Sequence, residues 1–254
     1  MRFLTRLALT AGLIVTLGAF TGHAQGISDA QRSDIEKIIR EYLVAHPEVL
    51  QEAMAELEKK QAADEAAKNL AAVKDNAEQI FNSQRQVVAG NPQGDVTFVE
   101  FFDYNCGYCK RAMDDMFALM KSDPKLKVVL KEFPVLGPAS VEVARVAVAV
   151  RMQDKTGKKY LDFHQKLLSG RGQVDKARAV AAAKEAGLDV ARIERDLSSD
   201  EVKQTLEESL KLAEKLGLNG TPSYVIGPHV VVGAVGVEQL KEKVNSARCG
   251  KATC

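Results

Sequence analysis

The sequence predicts an α/β domain with a helical block inserted after its second strand, preceded by a helical arm. Three observations carry this reading. Residues 28–85 contain no glycine and one proline, residues 96–133 run strand, helix, strand, and residues 139–216 carry only helical patterning before two short terminal strands.

The chain opens with MRFLTRLALTAGLIVTLGAFTGHA, in which Arg2 and Arg6 precede an apolar run from Leu7 to Phe20. The run is shorter than the ~20 residues that span a bilayer, and Gly22-His23-Ala24 offers a small-x-small cleavage site. Residues 1–24 are therefore expected to be a signal peptide, cleaved to leave a mature protein beginning near Gln25 in an oxidising compartment, the periplasm. Losing Arg2 and Arg6 changes the formal net charge from +1 to −1, and the basic residues left are interspersed with acids. No nucleic-acid partner follows from such a field. With 46% apolar residues and four cysteines, the chain must fold on its own core rather than on disulfides.

In the arm, residues 25–89, Ile35, Ile38, Ile39, Tyr42 and Leu43 recur at helical spacing up to His46-Pro47. Proline disfavours helix at the preceding residue and tolerates a first turn, so a second helix begins there, with Val49, Leu50, Ala53, Met54 and Leu57 in a stripe. A long helix gets most of its stability from burying such a stripe. The partner is either the domain's own surface or an identical chain, and a homo-oligomer through these helices is the expected arrangement.

Gly90-Asn91-Pro92-Gln93-Gly94-Asp95 is a turn cluster and places the start of the main domain, residues 90–248. Val96 to Phe102 reads as a buried strand, and Leu126 to Phe133 as a second, stopped by Pro134. Between them a helix follows Cys106. Beyond the helical insertion, about 139–216, Ser223 to Ile226 and Val230 to Val232 form two strands, and a helix from Val237 to Asn245 closes the domain. Residues 249–254 form a tail carrying Cys249 and Cys254.

Cys106 and Cys109 sit where a strand hands over to a helix, where free N–H groups and the helix dipole favour a thiolate. The dipole supplies about 0.3–1 kcal/mol, occasionally 2, against the ~1.4 kcal/mol that lowers a pKa by one unit. A larger drop needs direct hydrogen bonds to the Cys106 sulfur. Zinc is the main rival reading, but a structural site takes four ligands, and the other two cysteines lie in the distant tail. An inert Cys106–Cys109 bridge is a further alternative; thiol–disulfide exchange is favoured over both. Cys249 and Cys254 are expected to close a short loop, with a soft copper site or second exchange pair as alternatives. His164 and His229 have no partner motif, and Asp114-Asp115 reads as solvated charge on a helix face. Glu100 in an apolar strand is costly unless paired or raised in pKa, unless that strand is an edge that lets it face solvent.

The stretch from Val99 to Lys110, with Gly220-Thr221-Pro222-Ser223 much later, resembles the DsbA-type thiol–disulfide oxidoreductases of the thioredoxin superfamily. Tyr42-Leu43-Val44-Ala45-His46-Pro47-Glu48-Val49-Leu50 resembles the N-terminal domain of the suppressor of copper sensitivity protein C (ScsC) group. The resemblance implies a thioredoxin-like domain without a cofactor or metal, with Cys106 as attacking thiol and Cys109 as resolving thiol. It further implies Glu100 as a buried proton relay and Thr221-Pro222 as a cis-proline loop facing Cys106, with Gly107 and Tyr108 beside the substrate. Read alone, Gly-Thr-Pro is an ordinary trans turn. The dipeptide departs from the histidine-containing one usual in strongly oxidising members and matches that of DsbC-type isomerases. An isomerase or reductase of unfolded or misbridged secreted proteins is therefore expected, kept reduced by a membrane-embedded thiol reductase (DsbD/ScsB-like). A dithiol oxidase and a copper-binding resistance protein remain the alternatives.

Overall fold

The computed structural model describes residues 27–254, so the signal-peptide reading lies outside the described residues. The described chain divides into two units, one through Glu58 and one from Lys59 to Cys254.

The first unit holds α1 (Asp29–Ala45) and the start of α2 (Glu48–Asp75). Ser28 caps α1 reciprocally: its hydroxyl accepts from the Gln31 N–H at 3.3 Å, while the Gln31 side chain accepts from the Ser28 N–H at 3.0 Å. His46 ends the helix, as the following proline requires. No residue of α1 is buried, and Ile35, Ile38, Ile39 and Tyr42 are each between 43% and 63% exposed. Among the described residues this apolar stripe stays exposed, so α1 gains little from burial.

In the second unit, α2 ends at Asn76, whose side-chain amide donates to the Ala72 carbonyl. Then follow α3 (Ala77–Phe81), β1 (Val87–Gly90), β2 (Val96–Phe102), α4 (Gly107–Ser122) and β3 (Leu126–Glu132). The inserted block is α5 (Pro138–Gln153), α6 (Lys158–Leu168), α7 (Lys176–Glu185), α8 (Val190–Asp196) and α9 (Asp200–Lys215). The chain closes with β4 (Ser223–Ile226), β5 (His229–Val232) and α10 (Val237–Cys249). The sheet runs β1-β3-β2-β4-β5, with β2 and β3 parallel and the other pairs antiparallel.

Alternation along β2 assigns its side chains to two cores. Phe98 and Phe102 join Cys109, Met113 and Met116 of α4, Val143 and Val146 of α5, Phe163 of α6 and Leu240 of α10 on one face. Val99 and Phe101 join Val73, Ile80, Val129 and Leu212 on the other. This double coverage makes β2 the mostly apolar run seen in its sequence.

Two boundaries differ from the sequence reading. The arm was expected to reach residue 89 and the domain to begin at the turn cluster. Instead Val87 to Gly90 pair with Leu130 to Lys127 as an edge strand, and Val73 and Ile80 are core. Lys127 and Lys131 reach back from β3 to the Phe81 and Gln79 carbonyls, at 3.0 and 2.8 Å, and hold α3 down. A four-residue strand next to a glycine has too little pattern to read. The turn cluster then closes against β3, where a Cβ on Gly90, at φ +66°, would lie 2.7 Å from the Leu126 carbonyl oxygen. At the other end α10 runs on through Cys249, so the tail's first cysteine is helical.

Ile80→Ala is expected to lower domain stability by about 2–4 kcal/mol, read as a fall in the urea midpoint at unchanged slope. An unaltered midpoint would show that α3 belongs to the arm after all.

Candidate functional site

The site grows from the end of β2. Asp103 follows the last strand residue, is almost fully buried, and spends its carboxylate on four donors. These are the Ser140 hydroxyl at 2.7 Å and the backbone N–H groups of Asn105, Val135 and Leu136 at 2.8, 2.9 and 3.0 Å. Its own carbonyl accepts from the Cys106 N–H at 3.0 Å. The turn so fixed delivers Cys106, in extended backbone, as the N-cap of α4. Asn105 docks against the α6–α7 loop, accepting from the Val174 N–H at 2.7 Å and donating to its carbonyl at 3.0 Å.

Both site cysteines are free thiols, Cys106 6% exposed and Cys109 fully buried, while Gly107 and Tyr108 between them are exposed. The Thr221-Pro222 bond is cis, and the Thr221 carbonyl oxygen lies 3.1 Å from the Cys106 sulfur, accepting from the thiol form. The structure thus brings together Cys106, Cys109, Gly107, Tyr108, Thr221 and Pro222, with Glu100 behind them.

Electrostatics divides the two thiols. The Cys106 thiol is pulled down from 9.0 to about 5, first by a hydrogen bond from Cys109, then by bonds from the Thr221 side chain and the Cys109 and Tyr108 N–H groups. Burial opposes this and loses. The drop exceeds what a helix dipole supplies, because the sulfur sits among donors rather than merely near a helix end. Donating to that sulfur pushes the Cys109 thiol far up, with burial and the Glu100 charge adding to it.

Glu100 lies on a central strand, paired with Leu130 on one side and Tyr224 on the other, which removes the edge-strand alternative. Burial, then the charges of Asp115 and Cys106, push its carboxyl up from 4.5 to about 8. Its Oε2 and the Tyr224 hydroxyl are both buried without a hydrogen-bond partner. Asp115 departs from the solvated reading: it is half-buried, accepts from the Val237 N–H, and burial raises its carboxyl. Asp114 is exposed as expected.

Cys249 and Cys254 are joined in a disulfide, with Cα atoms 6.2 Å apart. Among the described residues no group of three or more His, Cys, Asp or Glu is gathered at metal-binding distance.

Sequence reasoning missed two features. Asp103 is one, and its signal was an Asp-x-Asn turn at the end of an apolar strand. The other is a buried polar chain under the site: His164 Nδ1 and the Tyr160 hydroxyl each lie 3.2 Å from the Tyr104 hydroxyl, and Tyr160 donates to Glu132. Burial pushes the Glu132 carboxyl well up and the His164 imidazole down to about 3, favouring the neutral form of each. These four residues come from β3, α6 and the β2–α4 turn, and no local spacing links them.

A DSBA-like thioredoxin domain matches residues 97–245, and a copper resistance protein ScsC N-terminal domain matches residues 31–64. A thioredoxin-like oxidoreductase from Silicibacter pomeroyi DSS-3 is 43% identical, with TM-score 0.64, over 67% of this chain and 96% of that one. Proteus mirabilis ScsC in a transitional conformation is 29% identical, with TM-score 0.64, over 88% and 99%. The thiol-disulfide exchange protein alpha-DsbA2 from Wolbachia pipientis is 31% identical, with TM-score 0.67, over 72% and 97%. The chain also matches curated Na(+)/H(+) antiporters, such as NhaA 1 of Salinispora arenicola at 25% identity, and spans only 25% of that protein's length.

Two measurements follow from the electrostatics. Alkylation of reduced protein should modify Cys106 with a midpoint near pH 5 and leave Cys109 unmodified in the native state; a midpoint near 9 would remove the hydrogen-bond account. For Glu100 the folded pKa, about 8, lies above the ordinary 4.5. Its protonated form is therefore the stable one, fully so below 4.5, and stability is lost as pH rises through 8. Glu100→Gln should match the parent in denaturant stability at pH 4 and exceed it increasingly up to pH 8, by at most ~1.4 kcal/mol per pH unit. A constant difference across that range would mean Glu100 is already ionised.

Proposed function

Because the chain belongs to the DSBA-like thioredoxin domain family, with an ScsC-type N-terminal domain ahead of it, we propose that it is a thiol–disulfide oxidoreductase of exported proteins, working as an isomerase and reductase. The observation that carries this is the division between the paired thiols, one pulled down to about 5 and nearly at the surface, the other pushed up and buried. Attack requires a thiolate, and resolution requires that the second thiol stay protonated until a mixed disulfide has formed.

The Cys106 thiolate attacks one sulfur of a substrate disulfide. A Cys106–substrate S–S bond forms, the substrate S–S bond breaks, and the displaced sulfur leaves as thiolate. In isomerisation that thiolate attacks another substrate disulfide, and a later substrate thiolate displaces Cys106, with no net redox change. In reduction Cys109 loses its proton and attacks Cys106, releasing the second substrate thiol and leaving a Cys106–Cys109 disulfide. Two electrons have then passed to the substrate, and a dithiol of a membrane-embedded reductase returns them. Glu100, whose carboxyl titrates near 8 and whose charge is felt by Cys109, takes up the Cys109 proton in its ionised form, the minor form at pH 7. The Thr221 carbonyl lies alongside the attacking Cys106 sulfur, and the substrate backbone would run along Thr221-Pro222.

Isomerase is favoured over oxidase on two counts. Gly107-Tyr108 supplies no cation beside the Cys106 sulfur, and a thiol at about 5 is less acidic than the ~3.5 of the strongest oxidants, so the pair is the weaker oxidant. The apolar stripe of α1, uncovered in one chain, suits assembly of identical chains, so that several sites surround one substrate. Periplasmic action fits an exported chain, and among the described residues no helix is long and apolar enough to cross a membrane.

Reactivation of a scrambled, wrongly bridged protein tests this with the full mature chain, Cys106→Ser, and a chain beginning at Lys59. A cut at Val88 would remove Val73 and Ile80 from the core. The full chain should reactivate the substrate, Cys106→Ser should not, and the shortened chain should retain peptide-disulfide reduction with little reactivation. Rapid oxidation of reduced dithiols by both active chains, with no reactivation, would make the protein an oxidase.

A further inference from the structure

The rim of the active site carries four cations without a carboxylate partner among the described residues, and the fold holds three of them, Lys110, Arg111 and Arg178, in place. Lys110, one turn into α4 from Cys106, donates to the Gly170 and Gly172 carbonyls at 3.1 and 2.8 Å. Arg178 of α7 donates to the carbonyls of Arg171 and Gln173 at 2.6 and 3.3 Å and packs against Gly170. Arg171, between these clamped carbonyls, is exposed. Arg111 stretches over the Tyr108 ring, 4.4 Å from its centre, at the outer face of the Cys-x-x-Cys loop. Among the described residues none of these four side chains forms an ion pair with a carboxylate, although ion pairs are common elsewhere on the surface. The carboxylates closest in sequence are Asp114, exposed, and Asp175, which caps α7 through the Arg178 backbone N–H. Burial, and after it the Arg178 charge, hold the Lys110 ammonium below its ordinary range.

Backbone carbonyls fix Lys110 and Arg178, and the Tyr108 ring holds Arg111, without neutralising any of the three. The loop they clamp is the one that Asn105, the neighbour of Cys106, pins through Val174. The charge therefore lies on the approach to the Cys106 sulfur. The exposed Val135 and Leu136, whose N–H groups Asp103 holds, add an apolar flank to the same loop assembly.

We propose that this clamped rim of Lys110, Arg111, Arg171 and Arg178 is a docking surface for acidic polypeptide segments, and selects disulfides whose cysteines have carboxylate residues within a few positions. The inference rests on the thiol-exchange reading of the same site and adds its substrate preference. Fixed cations raise the local concentration of an anionic segment and its rate of productive encounter, an effect that salt screens. A Tyr108–Arg111 pair with an open ring face also accepts an extended chain without ordering new side chains.

The test uses the full reduced protein and three peptides, each with one cysteine held as a disulfide to neutral thiopyridine and flanked by Glu, Ser or Lys. Cys106 attacks the peptide sulfur and releases the thiopyridine, which absorbs light as it leaves. At low salt the Glu-flanked peptide should react about 5- to 20-fold faster than the Lys-flanked one, and the ratio should fall below about 2 in 0.5 M salt. Arg111→Glu with Arg171→Glu should bring the low-salt ratio to one or below, whereas Lys203→Glu with Lys211→Glu, exposed on α9, should leave it unchanged. A ratio near one in the parent while the Ser-flanked peptide reacts readily would overturn the proposal and leave the exchange activity standing. Equal loss of the ratio in both double variants would overturn it too, as a net-charge effect. If no peptide releases thiopyridine, the exchange reading itself fails and the preference with it.

Discussion

One buried carboxylate organises the active end of this domain. Asp103 follows β2 inside the protein, and leaving such a group without donors would cost several kcal/mol. Its four donors come from three places: the turn before Cys106, the segment after β3, and the first turn of α5. Satisfying one side chain therefore locks the strand-to-helix turn, the loop flanking it and the start of the inserted helical block into one geometry. Cys106 becomes an N-cap as a consequence, and the donors around its sulfur follow from that position.

From there the same low-dielectric interior acts in opposite directions on neighbouring groups. Cys106 lies at the boundary and meets hydrogen-bond donors, which outweigh burial. Cys109, which donates to the Cys106 sulfur, and Glu100, which burial and the Asp115 and Cys106 charges push up, both lie in the interior and favour the protonated form. A thiolate in front and two proton carriers behind is what stepwise exchange requires. Beneath them, in the Glu132, Tyr160, Tyr104 and His164 chain, burial favours the neutral forms of Glu132 and His164. The chain satisfies polar groups across β3, α6 and the turn without adding charge behind the thiolate.

The inserted helices do more than cover the sheet. Their α6–α7 loop returns to the cysteine turn, where Asn105 and Lys110 both bond to its backbone. The residues that give the rim its charge are therefore positioned by the block that most distinguishes this domain from a bare strand–helix–strand unit. Activity and recognition share one scaffold while using different side chains.

Much of this was legible along the chain. β2, α4, β3 and the inserted helices follow from hydrophobic period and from glycine and proline positions, because these signals are local and the elements are long or fully buried. Cys106, Cys109, Thr221-Pro222 and the unusual acid at Glu100 were visible as residue types in those elements. What the chain could not display was anything made by long-range closure. The four-residue β1, the burial of Ile80, the half-burial of Asp115, the Tyr104–Tyr160–Glu132–His164 chain and the clamped cations each join residues far apart in sequence. The sequence by itself determined which elements form and which groups could react, since period and composition act within a few turns. Tertiary structure decided how far each thiol shifts and which charges go unpaired, since both depend on the donors, carbonyls and carboxylates that folding brings close.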